Sequence, residues 1–347
     1  MRDLSAAVEV KLAGAKLSDE EAATLLNVKV ERGIHLPDRI EVVLADLGGM
    51  WSNDRKPAMG ITIEVSLGYT ESGLVKVGSA TLAYQETILH RSGLREVHLV
   101  GYGPRYILQR GVQAKNVEDT SVDDYVNQAA GGLGPSISME QGGVSRPYFL
   151  QANQAGRPLL MEWASRLGLV VLEDDDSIKA APPELSGSGP EFEYGRDLRD
   201  FRAEVNTFHQ VSKVKVTAAD PTQKSQIVAE AGPDKALDLM GGAVSGTDAA
   251  ETAFGEVVYE VSDMPVRSQE EADKLAAALY NDRLFSFVIG YGTAKGNPEL
   301  KAGGTVTLNK LGKKMSGMYY VTRVVHEYAV KEGFRSFFEV CRPAIGA

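Results

Sequence analysis

The sequence predicts a mainly β fold of the α+β type: two β-rich units with a mixed α/β region inserted between them. Three observations lead there. Residues 1 to 110 carry short alternating runs about every ten residues, with turn residues between them. Residues 111 to 190 carry the first clear helical stripes. Residues 296 to 341 read as three consecutive strands.

The first unit, 1 to 110, begins with Ala7 to Leu12, which alternates in polarity. Leu26 to Val30 and Ile40 to Leu44 follow, separated by Gly33 and Pro37. Ile61 to Leu67 has strict period 2, and Leu74 to Ala83, Glu86 to His90 and Glu96 to Val100 complete the series. The loop Gly48 to Ala58 contains Trp51, which can serve as an interface anchor or fold back onto a barrel end.

The inserted region, 111 to 190, opens with a helix over Ser121 to Ala130. Ser121 is its N-cap, Val122, Tyr125, Val126 and Ala129 share a face, and Gly131-Gly132 stops it. A low-complexity loop, Leu133 to Gly143, comes next. Pro158 to Leu167 is a second helix with Leu159, Trp163, Ala164 and Leu167 in its stripe and Gly168 as C-cap. Leu169 to Leu172 and Ser177 to Ala180 form a hairpin whose acidic tip, Glu173 to Asp176, reads as solvated. Residues 182 to 190 connect to the second β-rich unit, 191 to 347.

That unit has strands at Leu198 to Asn206, Val211 to Ala218 and Glu256 to Val261, with a turn at Asp220-Pro221. Residues 231 to 255 show no period and read as a long loop. Ser268 to Arg283 is the strongest helix, with Ser268 and Glu271 as a capping box and Ala272, Leu275, Ala276 and Leu279 on one face. That face is expected on the second barrel near Tyr319 to Val325, with Glu270, Asp273 and Lys274 left on the polar side. Phe285 to Tyr291 and the closing meander (Thr305 to Leu308, Tyr319 to Tyr328, Phe334 to Val340) finish the chain. The two β-rich units are similar in size, yet no residue-level repeat links them.

Composition narrows the function. With 347 residues and 43% hydrophobic content the chain buries sizeable cores. The net charge of -10, without a basic cluster, argues against nucleic acid and anionic membranes as partners. No apolar run is long enough to span a bilayer, and the start lacks a secretory pattern, so synthesis in the cytoplasm is expected. The single cysteine, Cys341, reads as a buried inert thiol.

The search for chemistry ends on structural readings. His35, His90, His98, His209 and His326 show no ligand spacing. The Asp174 to Asp176 tip lacks calcium-loop spacing, and Glu162 has no paired carboxylate. Gly101-Tyr102-Gly103 lacks a third glycine, and Cys341 with His326 has no orienting motif. We expect no catalytic, cofactor or metal site and no enzyme. The alternative class is a carbohydrate-binding or carbohydrate-cleaving β-protein, resting on Trp51 and on Tyr319, Tyr320 and Tyr328. These tyrosines alternate faces and cannot all line one groove.

Three stretches taken together point to a family: REVHLVGYGPRYILQRG (Arg95 to Gly111) with its following helix, QANQAGRPLLMEWASRLGLVVLEDDDSIKAAPP (Gln151 to Pro183), and GNPELKAGGTVTLNKLGKKMSGMYYVTRVVHEY (Gly296 to Tyr328). Their order and spacing resemble the phage late control gene D family, baseplate hubs of contractile tails, akin to the hub half of valine-glycine repeat protein G. The resemblance implies two tube-protein-like β-barrels with an inserted α/β region. It also implies a homotrimer whose six barrels adapt a hexameric inner tube to a trimeric spike, with the tube protein, a separate spike and other baseplate proteins as partners. Assembly would be into a phage tail or an extracellular injection particle, with no membrane insertion and no nucleic-acid retention in a negative lumen.

Overall fold

The computed structural model describes residues 5–53, 57–130, 134–140, 144–220 and 224–346, apart from the side chains of 130 and 220. The expected stops at Gly131-Gly132 and Pro221, and parts of the loops 48–58 and 133–143, lie outside the described residues. The first lobe contains β1 (Ala6–Leu12), β2 (Ala15–Lys16), α1 (Asp19–Ala22), β3 (Leu25–Gly33), β4 (Arg39–Ala45), β5 (Thr62–Tyr69), β6 (Gly73–Leu89), β7 (Arg95–Tyr102) and α2 (Pro104–Ile107). The middle region contains β8 (Gln113–Ser121), α3 (Val122–Ala130), β9 (Ser136–Met139), β10 (Ser145–Gln154), α4 (Gly156–Arg166), β11 (Val170–Asp174) and β12 (Ser177–Ala181). The remainder contains β13 (Glu191–Glu193), β14 (Leu198–Val205), β15 (Lys213–Asp220), β16 (Ser225–Ala231), β17 (Val244–Ser245), α5 (Gly246–Phe254), β18 (Val258–Val261), α6 (Gln269–Phe285), β19 (Val288–Lys295), β20 (Thr305–Asn309), β21 (Gly317–Ala329), β22 (Gly333–Arg342) and β23 (Ala344–Ile345).

A single 13-stranded sheet carries both lobes. The first is ordered β3-β4-β7-β6-β5-β1 and the second β14-β19-β22-β21-β20-β13. The two orders correspond strand for strand. Their irregularities correspond as well. The β3–β4 register slips between Leu25 and Asn27, and the β14–β19 register between Leu198 and Asp200. The β6–β7 ladder slips between Leu82 and Tyr84, and β21–β22 between Val321 and Arg323. Bulges shared at equivalent positions mark one architecture used twice. The lobes differ at one rim, where β1 runs antiparallel to β5 but β13 runs parallel to β20.

Inward positions alternate with outward ones, so each lobe has its own core. Val28, Val42, Leu44, Ile63 and Leu99 fill the first. Phe338, Val321, Val324 and Val340 fill the second. Equivalent sites exchange volume: Val28, Val42 and Leu99 in one lobe stand where Phe201, Gly292 and Phe338 stand in the other. A Cβ on Gly292 would lie 2.4 Å from the Phe338 ring, so the glycine makes room for the aromatic side chain.

The middle region builds a separate core from Val126, Phe149, Leu160, Trp163, Val171 and Ile178. Ser121 Oγ accepts from the Asp124 amide at 3.1 Å, as an N-cap should. Gly168, at φ +68°, ends α4.

Four expectations are corrected. The expected strands Leu74 to Ala83 and Glu86 to His90 merge into one 17-residue strand, β6, that ends at Leu89, because its bulge interrupts the alternation without ending the strand. The 231–255 stretch is not a loop throughout: Ser245 and Asp248 cap the helix α5, which buries only Gly246, Thr247 and Ala250 and so shows no stripe. Phe285 ends α6 rather than starting a strand. The Ala272, Leu275 and Ala276 face of α6 packs on the small sheet β16-β15-β18, against Val214, Val216 and Ile227, not on the second barrel near Tyr319. The sequence reading missed β16, and with it the surface that this helix covers.

Candidate functional site

The seam between the lobes is a strand pairing. The first half of β21 (Gly317 to Tyr320) pairs with β20. Its second half pairs antiparallel with β3, from Arg323↔Gly33 to Ala329↔Asn27. Cross-seam packing reinforces the ladder. Phe334 of β22 sits in the first lobe's core, with its ring 5.9 Å from Tyr69, and the Tyr69 hydroxyl donates to the Gly296 carbonyl at 2.9 Å.

The outward face of this sheet runs unbroken across the seam and carries charges of alternating sign. Arg323 bridges Glu339 at 2.6 Å and Glu31 at 2.7 Å. Arg39 stands opposite Glu31 and bonds Glu41 at 2.8 Å. His98 lies 3.1 Å from Glu41 and 3.5 Å from Glu96. Burial alone would raise the Glu41 pKa, but hydrogen bonds from His98 and Arg39 outweigh it and hold the carboxyl low. A hollow of ≈ 320 Å³ lies on the seam, lined in part by Glu31, Gly33, His35, Arg323 and Glu339. A face of paired, half-exposed ions is polar without strong net sign, and so offers little for an apolar or highly charged ligand to grip.

Two buried ionic junctions anchor the middle region. Arg105, wholly buried, donates to Glu173 Oε1 through Nε at 2.6 Å and through its own amide at 2.9 Å. Its other nitrogens serve the carbonyls of Gly33, Ile34, Leu36 and Val171. Glu173 Oε2 accepts from the Asp38 amide, and Arg32 pairs with Asp38 at 2.6 Å. Burial pushes the Asp38 carboxyl up to about 6, against the attraction of Arg32. The second junction is Glu271 of α6, held by Arg146 and Arg166, whose guanidinium groups also lie over the Trp163 ring. Glu271 does not close the capping box with Ser268. Its carboxylate accepts from the Arg267 amide at 3.0 Å and from the two arginines instead.

The sequence candidates fall as follows. Trp51 is 1% exposed, and its indole N–H donates to Thr24 Oγ1 at 2.9 Å, so it folds back into the core. Glu173 is buried, whereas Asp174, Asp175 and Asp176 are exposed and Asp175 pairs with Lys76. The solvated reading therefore holds for the aspartates and fails for the glutamate. Among the described residues no cluster of His, Cys, Asp or Glu could hold a metal. His326 does not meet Cys341. Its Nε2 donates to the Leu300 carbonyl, its Nδ1 accepts from Ser336, and burial depresses its pKa to about 4. Cys341 is pushed up to about 12 by burial, so its thiol is a poor nucleophile. Tyr319 and Tyr320 are buried and form no sugar groove. No helix among the described residues is long and apolar enough to cross a membrane.

Two matched lobes joined in one sheet define a tail-protein-like β fold. The structure is similar to the 43 kDa tail protein of prophage MuSo2 from Shewanella oneidensis, with TM-score 0.72 and 11% identity over 98% of this chain and 99% of that one. It is similar to the tail protein from Neisseria meningitidis MC58, with TM-score 0.67 and 14% identity over 97% and 96%. A component of the type VI secretion system from E. coli is similar at TM-score 0.55 and 9% identity, over 99% of this chain and 76% of that one. The Alg8 N-terminal domain family matches residues 3–330, and the chain belongs to that family. A search of curated proteins finds no match.

Proposed function

We propose that this protein is a structural baseplate hub of the late control gene D type, a trimeric adaptor between a hexameric inner tube and a trimeric spike in a contractile tail or injection particle. The observation that carries this reading is the doubled lobe. A chain with two equivalent β units fused through β21 and β3 supplies pseudo-twofold repetition, and three copies present six such units. The division at residues 1–110, 111–190 and 191–347 belongs to the same reading, with the middle region braced by Arg105 and Glu271. The likeness to tail proteins supports it at the level of fold. The tube protein, a spike and other baseplate proteins are the partners proposed, and the sheet face carrying Arg323, Glu31, Arg39 and Glu41 is the proposed lumen wall. Alternating charge on that wall replaces the negative lumen expected from net charge. In this reading the protein performs no catalysis.

Light scattering of the purified chain, followed by co-purification with tube protein, tests the proposal. A trimer that captures the tube protein is expected. A monomer at every concentration, with no capture, overturns it.

A further inference from the structure

The lobe correspondence leaves one seam missing from the single chain. In the second lobe, the half of β21 beyond its bulge pairs with β3. The equivalent half of β6, beyond Leu82 and Tyr84, pairs with β7 on one side and with no strand on the other among the described residues. The equivalent of β3 is β14, whose residues 200–205 likewise pair only with β19 among the described residues. These unpaired edges lie at opposite ends of the run β14-β19-β22-β21-β3-β4-β7-β6 and do not pair with each other within the chain. They also carry apolar side chains in the open: Leu89 is 67% exposed, Tyr84 43% and Val205 42%. On the occupied seam, the counterparts of Leu89 and Thr87 are Tyr328 and His326, both shielded. An unprotected edge of this length is a pairing template.

We propose that the edge Tyr84 to Leu89 of one copy pairs antiparallel with β14 of the next copy, in the register that the β21–β3 seam dictates. Carrying that register across the lobes sets Gln85 opposite Val205, Glu86 opposite Glu204, Thr87 opposite Ala203, Ile88 opposite Arg202 and Leu89 opposite Phe201. Leu89 against Phe201 reproduces the apolar pair Tyr328 against Val28. The contact is heterologous, β6 to β14, so it generates a ring or an open chain rather than an isolated dimer. The inference rests on the hub reading, and adds the strand, partner and register through which copies join.

Glu86 and Glu204 are exposed and outside both buried junctions, so cysteines there leave the fold intact. Directly opposed residues come within disulfide reach, whereas neighbours two positions along do not. The single native thiol, Cys341, is half-buried and unreactive, and does not compete. Mixing Glu86→Cys chains with Glu204→Cys chains under mild oxidation should give covalent dimers. Neither variant alone should do so, and a chain bearing both should close to a covalent trimer. Replacing Glu204→Cys by Arg202→Cys shifts the pair by two residues and should lose the cross-link. Hydrogen exchange adds a readout on the unmodified protein: those amides of residues 85–89 that point away from β7 should become protected on assembly. Trimers by light scattering with no in-register cross-link, with equal cross-linking of the shifted pair, or with those amides unprotected would overturn the seam and leave the hub reading standing. A monomer at all concentrations would overturn both.

Discussion

The strands β21 and β6 are equivalent in order, length class and bulge position, yet one is covered on both sides and the other is not. Where β21 meets β3, a histidine is buried and an aromatic ring crosses into the neighbouring core. At the matching place on β6, Thr87 and Leu89 are exposed. The difference is that the same edge is an internal joint in one lobe and an open strand edge in the other. The lobes also differ where their last strand ends. After β7, Pro104 leads to the buried Arg105; after β22, Pro343 leads to the short strand β23, paired with β17. Only the first lobe therefore has an ionic lock on the middle region at that point.

That lock gives the largest expected effect. Arg105→Met leaves the Glu173 carboxylate buried without its cation, at a cost of about 3–5 kcal/mol. Urea unfolding should show this loss, and the double variant Arg105→Met/Glu173→Leu should regain much of it. A loss below about 1 kcal/mol would mean that the junction is wet and open.

The covered seam should also carry a pH signature. His326 is neutral in the folded chain, with its pKa depressed from 6.5 to about 4. Its contribution is therefore present above pH 6.5 and is lost as pH falls toward 4, by about 3 kcal/mol over that window. Asp38 has the opposite sign: its raised folded pKa means that its contribution declines as pH rises through about 6. The stability difference between the parent and His326→Gln, followed from pH 7 to 4.5, isolates the histidine. A pH-independent difference would show that His326 is not buried as described.

A smaller effect probes the exchange of volume between lobes. Gly292→Ala should cost about 1–3 kcal/mol by crowding Phe338. Adding Phe338→Leu, which copies the first lobe's Leu99, should relieve most of it. Additive losses in a double-mutant cycle would deny the compensation.

That exchange also explains what the sequence revealed and what it hid. Alternating strands such as Ile61 to Leu67 were legible because a half-buried strand needs period 2. The repeat was not legible, because Val28, Val42 and Leu99 became Phe201, Gly292 and Phe338: total volume is kept while identity is lost. Glu173 was hidden in an acidic run because its cation lies 68 residues away in sequence. The docking of α6 was not legible because its partner strand, β16, was not recognised, and the sheet that the helix covers went with it. The seam itself was half legible. The run Tyr319 to Tyr328 read plainly as a strand, but nothing local says that its far edge belongs to another lobe.

The measurement that most directly tests the account is an electron cryomicroscopy map of the assembled protein. The account predicts three copies in a closed ring, with β6 of each copy lying beside β14 of the next at the strand spacing of about 4.8 Å. A different copy number, or a ring in which those two edges stand apart, would contradict it.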